Sequence, residues 1–384
     1  MTPHPGSVLR APPLPSLTAL RFFAALLVFG FHITLTASPI PPNDPITLFA
    51  DDDVARVTSR VFRATGYIGV SFFFVLSGFL LTWAAKPGER PGAFWRRRIL
   101  KLFPNHLVTW ALSLLLFAAA FTPLHASILS GVLLHAFSAD EAVNVAVNPP
   151  AWTLSSELLF YLLFPVFLPV ILRITGTGLW YAAAALIGVM VLLQITTLTL
   201  IPDTPVSALT PVSSSQFWFG YLFPPTRLPE FLLGAIAARI VLAGRWPLQR
   251  RWPVLLLAVA GYVAANTVPF VWSFSVATII PVTVLIATAA ARDAAGHRGL
   301  LASAPLQWLG NISFGFYLVQ GITIFWVRQQ MNGVVYPTPI AVLLILAFFV
   351  WTLLAGWALY ALVEKPMMDR FARPRRPVPS GAGS

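Results

Sequence analysis

The chain has 384 residues, of which 57% are hydrophobic and only 10% charged, and its mean hydropathy is +0.78. Soluble chains carry about 45–50% apolar and about 25% charged residues, so lipid must solvate most of this surface and a cytosolic or secreted globular protein is excluded. The absence of cysteine rules out disulfides, a thiolate nucleophile and Cys-ligated zinc, while the net charge of +12 belongs to loops at a membrane surface rather than to a nucleic-acid site.

A membrane span needs about 20 mostly apolar residues. That window predicts an all-α, polytopic membrane protein of about ten transmembrane helices, at 17–36, 66–85, 103–122, 155–174, 178–200, 228–243, 252–268, 274–291, 308–328 and 339–363. Residues 1–16 are Pro-rich, and the full-length apolar run behind them lacks a small-residue cleavage pattern. They read as a cytoplasmic segment ahead of a retained first helix. Loop 37–65 is expected to fold over the outer mouth. The stretch 126–138 is too short to span and reads as an interfacial or re-entrant helix, and spans six and seven are short and Pro-flanked. The transmembrane domain then occupies 17–363, and 364–384 forms a cytoplasmic tail, disordered toward its Pro/Arg/Gly/Ser end. No internal repeat is visible, which weighs against transporters built from duplicated halves.

Ten spans put both termini on one side. That side collects every Lys and Arg except Arg56, Arg60, Arg63, Arg227 and Arg328, and the basic bias places it in the cytoplasm. The expected location is the cell inner (plasma) membrane.

Polar residues inside apolar runs are costly and point to function. On span one, Arg21 and His32 are eleven residues apart, about 16 Å along a helix and close to one face. Arg21 can also snorkel to headgroups, and His32 can simply bond a neighbouring carbonyl. Glu157 enters span four from the outer side at an expected depth close to that of His32. It either complements the helix dipole or fixes the tautomer of a general-base histidine. Arg98 and Lys101, at i and i+3 where span three begins, suit phosphate as well as a basic loop. Arg227, Glu230 and Gly234 mark span six, and Ser313, Tyr317 and Gln320, at i, i+4 and i+7, give span nine a polar stripe. His106, His125, His135 and His297 receive no role, and the run Asp51–Asp53 reads as a solvated loop.

With these residues in view, the chain resembles integral-membrane acyltransferase family 3, whose members O-acylate lipopolysaccharide, exopolysaccharide, peptidoglycan and macrolides. The family's basic-x10-His pattern is present as Arg21 and His32, and its glycine-and-aromatic second-span signature as Gly66 to Phe79. Its Arg-x-x-Arg-Ile-x-Pro element is represented by Arg98, Lys101 and Pro104. Trp152 to Tyr161, Arg227 to Gly234, Leu309 to Tyr317 and the closing Glu364-Lys-Pro366 follow in the family's order. Four positions depart from it. Ser71 stands where many relatives have Asp, Lys101 replaces Arg, and His106 occupies a position often Tyr. Gln320 sits where His is frequent and is left out of catalysis.

The resemblance implies acyl-CoA, with acetyl-CoA expected, as the cytoplasmic co-substrate, and no metal. The acceptor would be a hydroxyl on a sugar-containing or macrolide-like molecule, with the lipid bilayer as surroundings and no nucleic-acid partner. His32 would take the hydroxyl proton, Glu157 would orient it, and Arg21, Arg98 and Lys101 would hold the CoA phosphates. Direct transfer is preferred, and an acyl-His32 intermediate stays open. The alternative is a transporter or flippase of a lipid-linked or amphipathic substrate, with the Arg21–His32 face lining its passage.

Overall fold

The computed structural model describes residues 12–86, 88–207 and 210–372. The first eleven residues and the tail from 373, expected as cytoplasmic segments, lie outside them. Ten long helices carry the described chain: α1 Pro15–Ile33, α2 Asp52–Trp83, α3 Pro91–Leu116, α4 Trp152–Arg173, α5 Gly178–Thr199, α6 Pro224–Leu242, α7 Arg251–Thr267, α8 Ile279–Ala294, α9 Ala304–Gly321 and α10 Thr338–Leu359. Every expected span falls on one of them. Eight, all but α6 and α7, belong to segments long and apolar enough to cross a membrane. The two exceptions have different causes: α6 carries Arg227, Glu230 and Arg239, and α7 is 17 residues long. The stretch expected to be interfacial forms a short helix, Leu124–Gly131, and a turn, His135–Phe137, with Leu124 and Ile128 exposed.

The clearest departure from expectation is at 52–65, read as loop and found as the first turns of α2. Asp51 caps that helix, its carboxylate accepting from the backbone N–H of Asp53 (2.9 Å) and Val54 (3.1 Å). Asp52 and Asp53 then complement the dipole in the first turn. At 1.5 Å per residue, 32 residues make a rod of about 48 Å, longer than the ~30 Å hydrocarbon layer. The remaining loop is pinned by Arg328, which donates to the carbonyls of Pro45 (2.9 Å), Thr47 (3.2 Å) and Val334 (2.8 Å).

The centre of the bundle is the crossing of α2 and α6. A Cβ on Gly78 would lie 1.8 Å from the Phe231 carbonyl, and one on Gly234 1.9 Å from that of Val75. Only glycine lets the two backbones touch this way. Beside the crossing, Arg227 and Glu230 pair at 2.9 Å, each 1% exposed. The Arg227 guanidinium lies 4.9 Å from the Tyr221 ring centroid and 5.5 Å from that of Phe74, and donates to Ser71 Oγ at 3.4 Å. Arg227, counted as an outer-loop charge from the sequence, is therefore an interior residue.

Candidate active site

Two cavities lie against the polar face of α1. The first, about 150 Å³, is lined by Arg21 from α1, Ser77 from α2, Arg98 and Lys101 from α3, and Thr153, Glu157 and Tyr161 from α4. The second, about 230 Å³, holds His32 at the other end of α1, with Tyr67, Trp152, Phe217, Tyr221 and Phe270 around it and Arg63 as its cation. Val70 and Tyr317 line both. The wall between the cavities is a hydrogen-bonding cluster: the Tyr317 and Thr153 hydroxyls lie 3.0 Å apart, and the Pro150 carbonyl is within accepting distance of both, at 3.1 and 3.0 Å, so the two hydroxyl protons are shared among the three oxygens.

The structure thus brings together Arg21, Arg98, Lys101 and Glu157, and places His32 apart from them. The expectation that Glu157 orients His32 is corrected. Glu157 accepts from the Tyr161 hydroxyl, and its neighbouring charges are Arg21, Arg98 and Lys101. The cause is depth. His32 lies in the last turn of α1, whereas Glu157 is eight residues into a helical segment that begins at Pro149, about 12 Å along the axis. Trp152, near the start of that segment, reaches the His32 cavity instead.

The polar side chain that meets His32 is Gln320. Gln320 is fully buried, and its amide donates from Nε2 to the Tyr317 carbonyl at 3.0 Å. That bond leaves Oε1 without a partner, and His32 Nδ1 is also buried and unpaired. Directly after Gln320 the helix widens into a π turn, Ile322–Trp326, a feature frequent at functional sites. The Phe325 ring on this turn stands edge-on to the imidazole, 5.6 Å away.

In the first cavity the cations are held differently from one another. Lys101 is ion-paired with Glu364, which is 3% exposed and also accepts from Asn105 Nδ2 at 2.8 Å. Glu364 closes a second π turn, Tyr360–Glu364. Arg98 is backed by the Phe94 ring at 5.5 Å, and its Nε has no partner. Neither Arg21 nor Arg98 takes part in an ion pair among the described residues. The sequence shows the closing Glu-x-Pro motif but no role for Glu364, and it leaves Gln320 outside catalysis because the position departs from the family pattern. Tyr161 and the Tyr317–Thr153 wall were also missed, although all three lie inside motifs visible in the sequence.

The acyltransferase domain of family 3 matches residues 14–361. Acyltransferase MdmB of Streptomyces mycarofaciens is 34% identical over 379 residues, 95% of this chain and 94% of that protein. The peptidoglycan O-acetyltransferase OatA of Listeria monocytogenes is 22% identical, and the putative peptidoglycan O-acetyltransferase YrhL of Bacillus subtilis 24%. Each alignment covers 79% of this chain and 48% of the relative, so the chain spans about half the length of these two. No solved structure matches it. With nearly the whole chain matched and the motifs in order, the protein belongs to acyltransferase family 3 and is a multi-pass membrane acyltransferase.

Proposed function

We propose that the protein moves an acetyl group from acyl-CoA, bound at the cytoplasmic end of the first cavity, to a hydroxyl of a sugar-containing acceptor that enters the second. The observation that carries this reading is the pair of cavities sharing Val70 and Tyr317, with cations in one and His32 in the other. Arg21 and Arg98 bind CoA phosphates, and Lys101 adds a charge held in place by Glu364. Glu157 and Tyr161 space these cations apart between phosphate contacts. The acyl-pantetheine arm crosses at the Tyr317–Thr153 wall and presents its thioester to the second cavity.

There the acceptor hydroxyl loses its proton to His32 Nε2 as its oxygen attacks the thioester carbonyl. The tetrahedral intermediate expels the CoA thiolate, which takes the proton back from the imidazolium and leaves as free thiol. This proton path needs Nε2 unprotonated at the start, hence the tautomer with hydrogen on Nδ1. A small rotation lets Nδ1–H donate to Gln320 Oε1 and pairs the two orphaned atoms. Gln320, not Glu157, is the positioning residue for the base. The rings of the second cavity (Tyr67, Trp152, Phe217, Tyr221 and Phe270), with the hydroxyls of Thr34, Thr36 and Ser59 among its lining, suit an acceptor that presents apolar sugar faces or a macrolide-like ring together with hydroxyls.

The test uses protein reconstituted in sealed vesicles of known orientation, with labelled acetyl-CoA on one side and candidate glycans or macrolides on the other. Transfer requiring donor at the Arg98 face and giving product at the His32 face supports the scheme. Activity only when both substrates share the Arg98 face would reject the crossing while leaving the acyltransferase intact.

A further inference from the structure

A third cavity, about 330 Å³, lies between α1, α7 and α8 and is closed by residues 297–301. It is larger than either cavity of the candidate site and shares no lining residue with them. Its walls change character along their length. On α8, Leu285 is seven residues from Arg292, about 10 Å along the axis. On α7, Val254 and Leu255 follow Arg251 by one turn. The ends meet at one mouth: Ser16 at the start of α1 donates to the Asp293 carboxylate from its N–H (2.7 Å) and its hydroxyl (2.8 Å). Gly299 sits so close to Arg251 that a Cβ there would be 2.7 Å from Nη2.

The mouth has cationic capacity to spare. The Arg251 guanidinium has no hydrogen-bond or ion-pair partner among the described residues. Arg292 donates from Nη1 to the Gln249 carbonyl at 2.6 Å and is likewise free of an ion pair. His297 completes the rim. Asp293, the acid beside this mouth, is committed to Ser16, and its neighbouring charges are Arg298 and Arg292. Depth is marked independently by Trp252, next to Arg251 and 60% exposed, the kind of residue found at headgroup level.

We propose that this cavity is a binding site for one anionic phospholipid, its phosphate between Arg251 and Arg292 and an acyl chain against Leu20, Val254, Leu255 and Leu285. Basic pockets between membrane helices take such headgroups by charge. The apolar depth of this one selects a lipid over a free phosphate, which has nothing to place there.

The test is native mass spectrometry of the full-length protein from mixed micelles of phosphatidylglycerol and phosphatidylcholine. Wild type should retain one phosphatidylglycerol in preference to phosphatidylcholine, and millimolar inorganic phosphate should not displace it. Arg251→Gln, at an exposed position, should lower the preference about fivefold, and Arg251→Gln/Arg292→Gln roughly 25-fold. Leu285→Trp, which fills the apolar end and leaves the charges, should reduce retention of both lipids. Equal retention of the two lipids by wild type, displacement by phosphate alone, or an unchanged preference in the single variant would overturn the proposal.

Discussion

Replacing Gln320 by Met keeps side-chain length and removes both polar atoms from a fully buried position. In the proposed scheme the loss falls on the base, because the Nδ1–H of His32 is left without an acceptor. A neutral hydrogen bond contributes about 0.5–1.5 kcal/mol, which converts to a loss of about 2- to 13-fold in kcat. KM for acyl-CoA should stay put, since Gln320 does not line the cationic cavity. Gln320→His should keep near wild-type turnover, because an imidazole can donate to the Tyr317 carbonyl from one nitrogen and accept from His32 at the other. The assay is steady-state transfer from labelled acetyl-CoA in detergent, alongside thermal melting to exclude a folding defect. A Met variant with normal kcat, or Met and His variants equally impaired, would refute the positioning role.

His32→Ala should cost about 10²–10⁴ in rate with insertion and melting unchanged, measured by the same transfer assay. Arg98→Ala should raise KM for acyl-CoA roughly 10- to 150-fold, from about 1.5–3 kcal/mol per charge-assisted phosphate contact; a change in protein level alone would return Arg98 to a topology signal. Lys101→Ala should raise donor KM and also lower the melting temperature, because Glu364 is left buried without its cation. Adding Glu364→Gln should restore the melting temperature but not KM. Gly234→Ala should cost at least about 1–3 kcal/mol of overpacking, read as loss of monodisperse protein on size exclusion, since the new methyl meets backbone rather than a movable side chain.

The membrane architecture was legible because lipid imposes a crude rule: apolar runs of a set length become helices. That rule located every long helix, yet it could not see that 52–65 continues α2, because a helix outside the bilayer is polar and Asp51 reads as loop until its cap is drawn. That Arg98 and Lys101 share one face was legible through their i, i+3 spacing on α3, and the first cavity opens onto that face. The partner of His32 was not, since depth within a bundle depends on where each helix begins. Eight residues of offset from Pro149, where the helical segment containing α4 begins, carried Glu157 to the other cavity. Gln320 was hidden for a different reason: an amide at a position where the family pattern leads one to expect His looks like a loss, although the two share a donor and an acceptor. Arg227 misled in the opposite direction, because a charge at a helix start counts as loop until its partner three residues on is seen to be buried with it.

The interior ion pair on α6 has a consequence for biosynthesis. On a translocon insertion scale, Arg and acidic residues cost up to about 2.5–3.5 kcal/mol each near a helix centre, so α6 is a poor candidate to enter lipid by itself. The groups that receive Arg227 include Ser71 and Phe74, both on α2, which leaves the ribosome some 150 residues earlier. The first helices thus act as an internal chaperone, offering a prepared slot into which a reluctant segment is handed. Nascent chains lacking α2 should leave α6 stranded at the translocon and exposed to quality control, even though its own sequence is untouched.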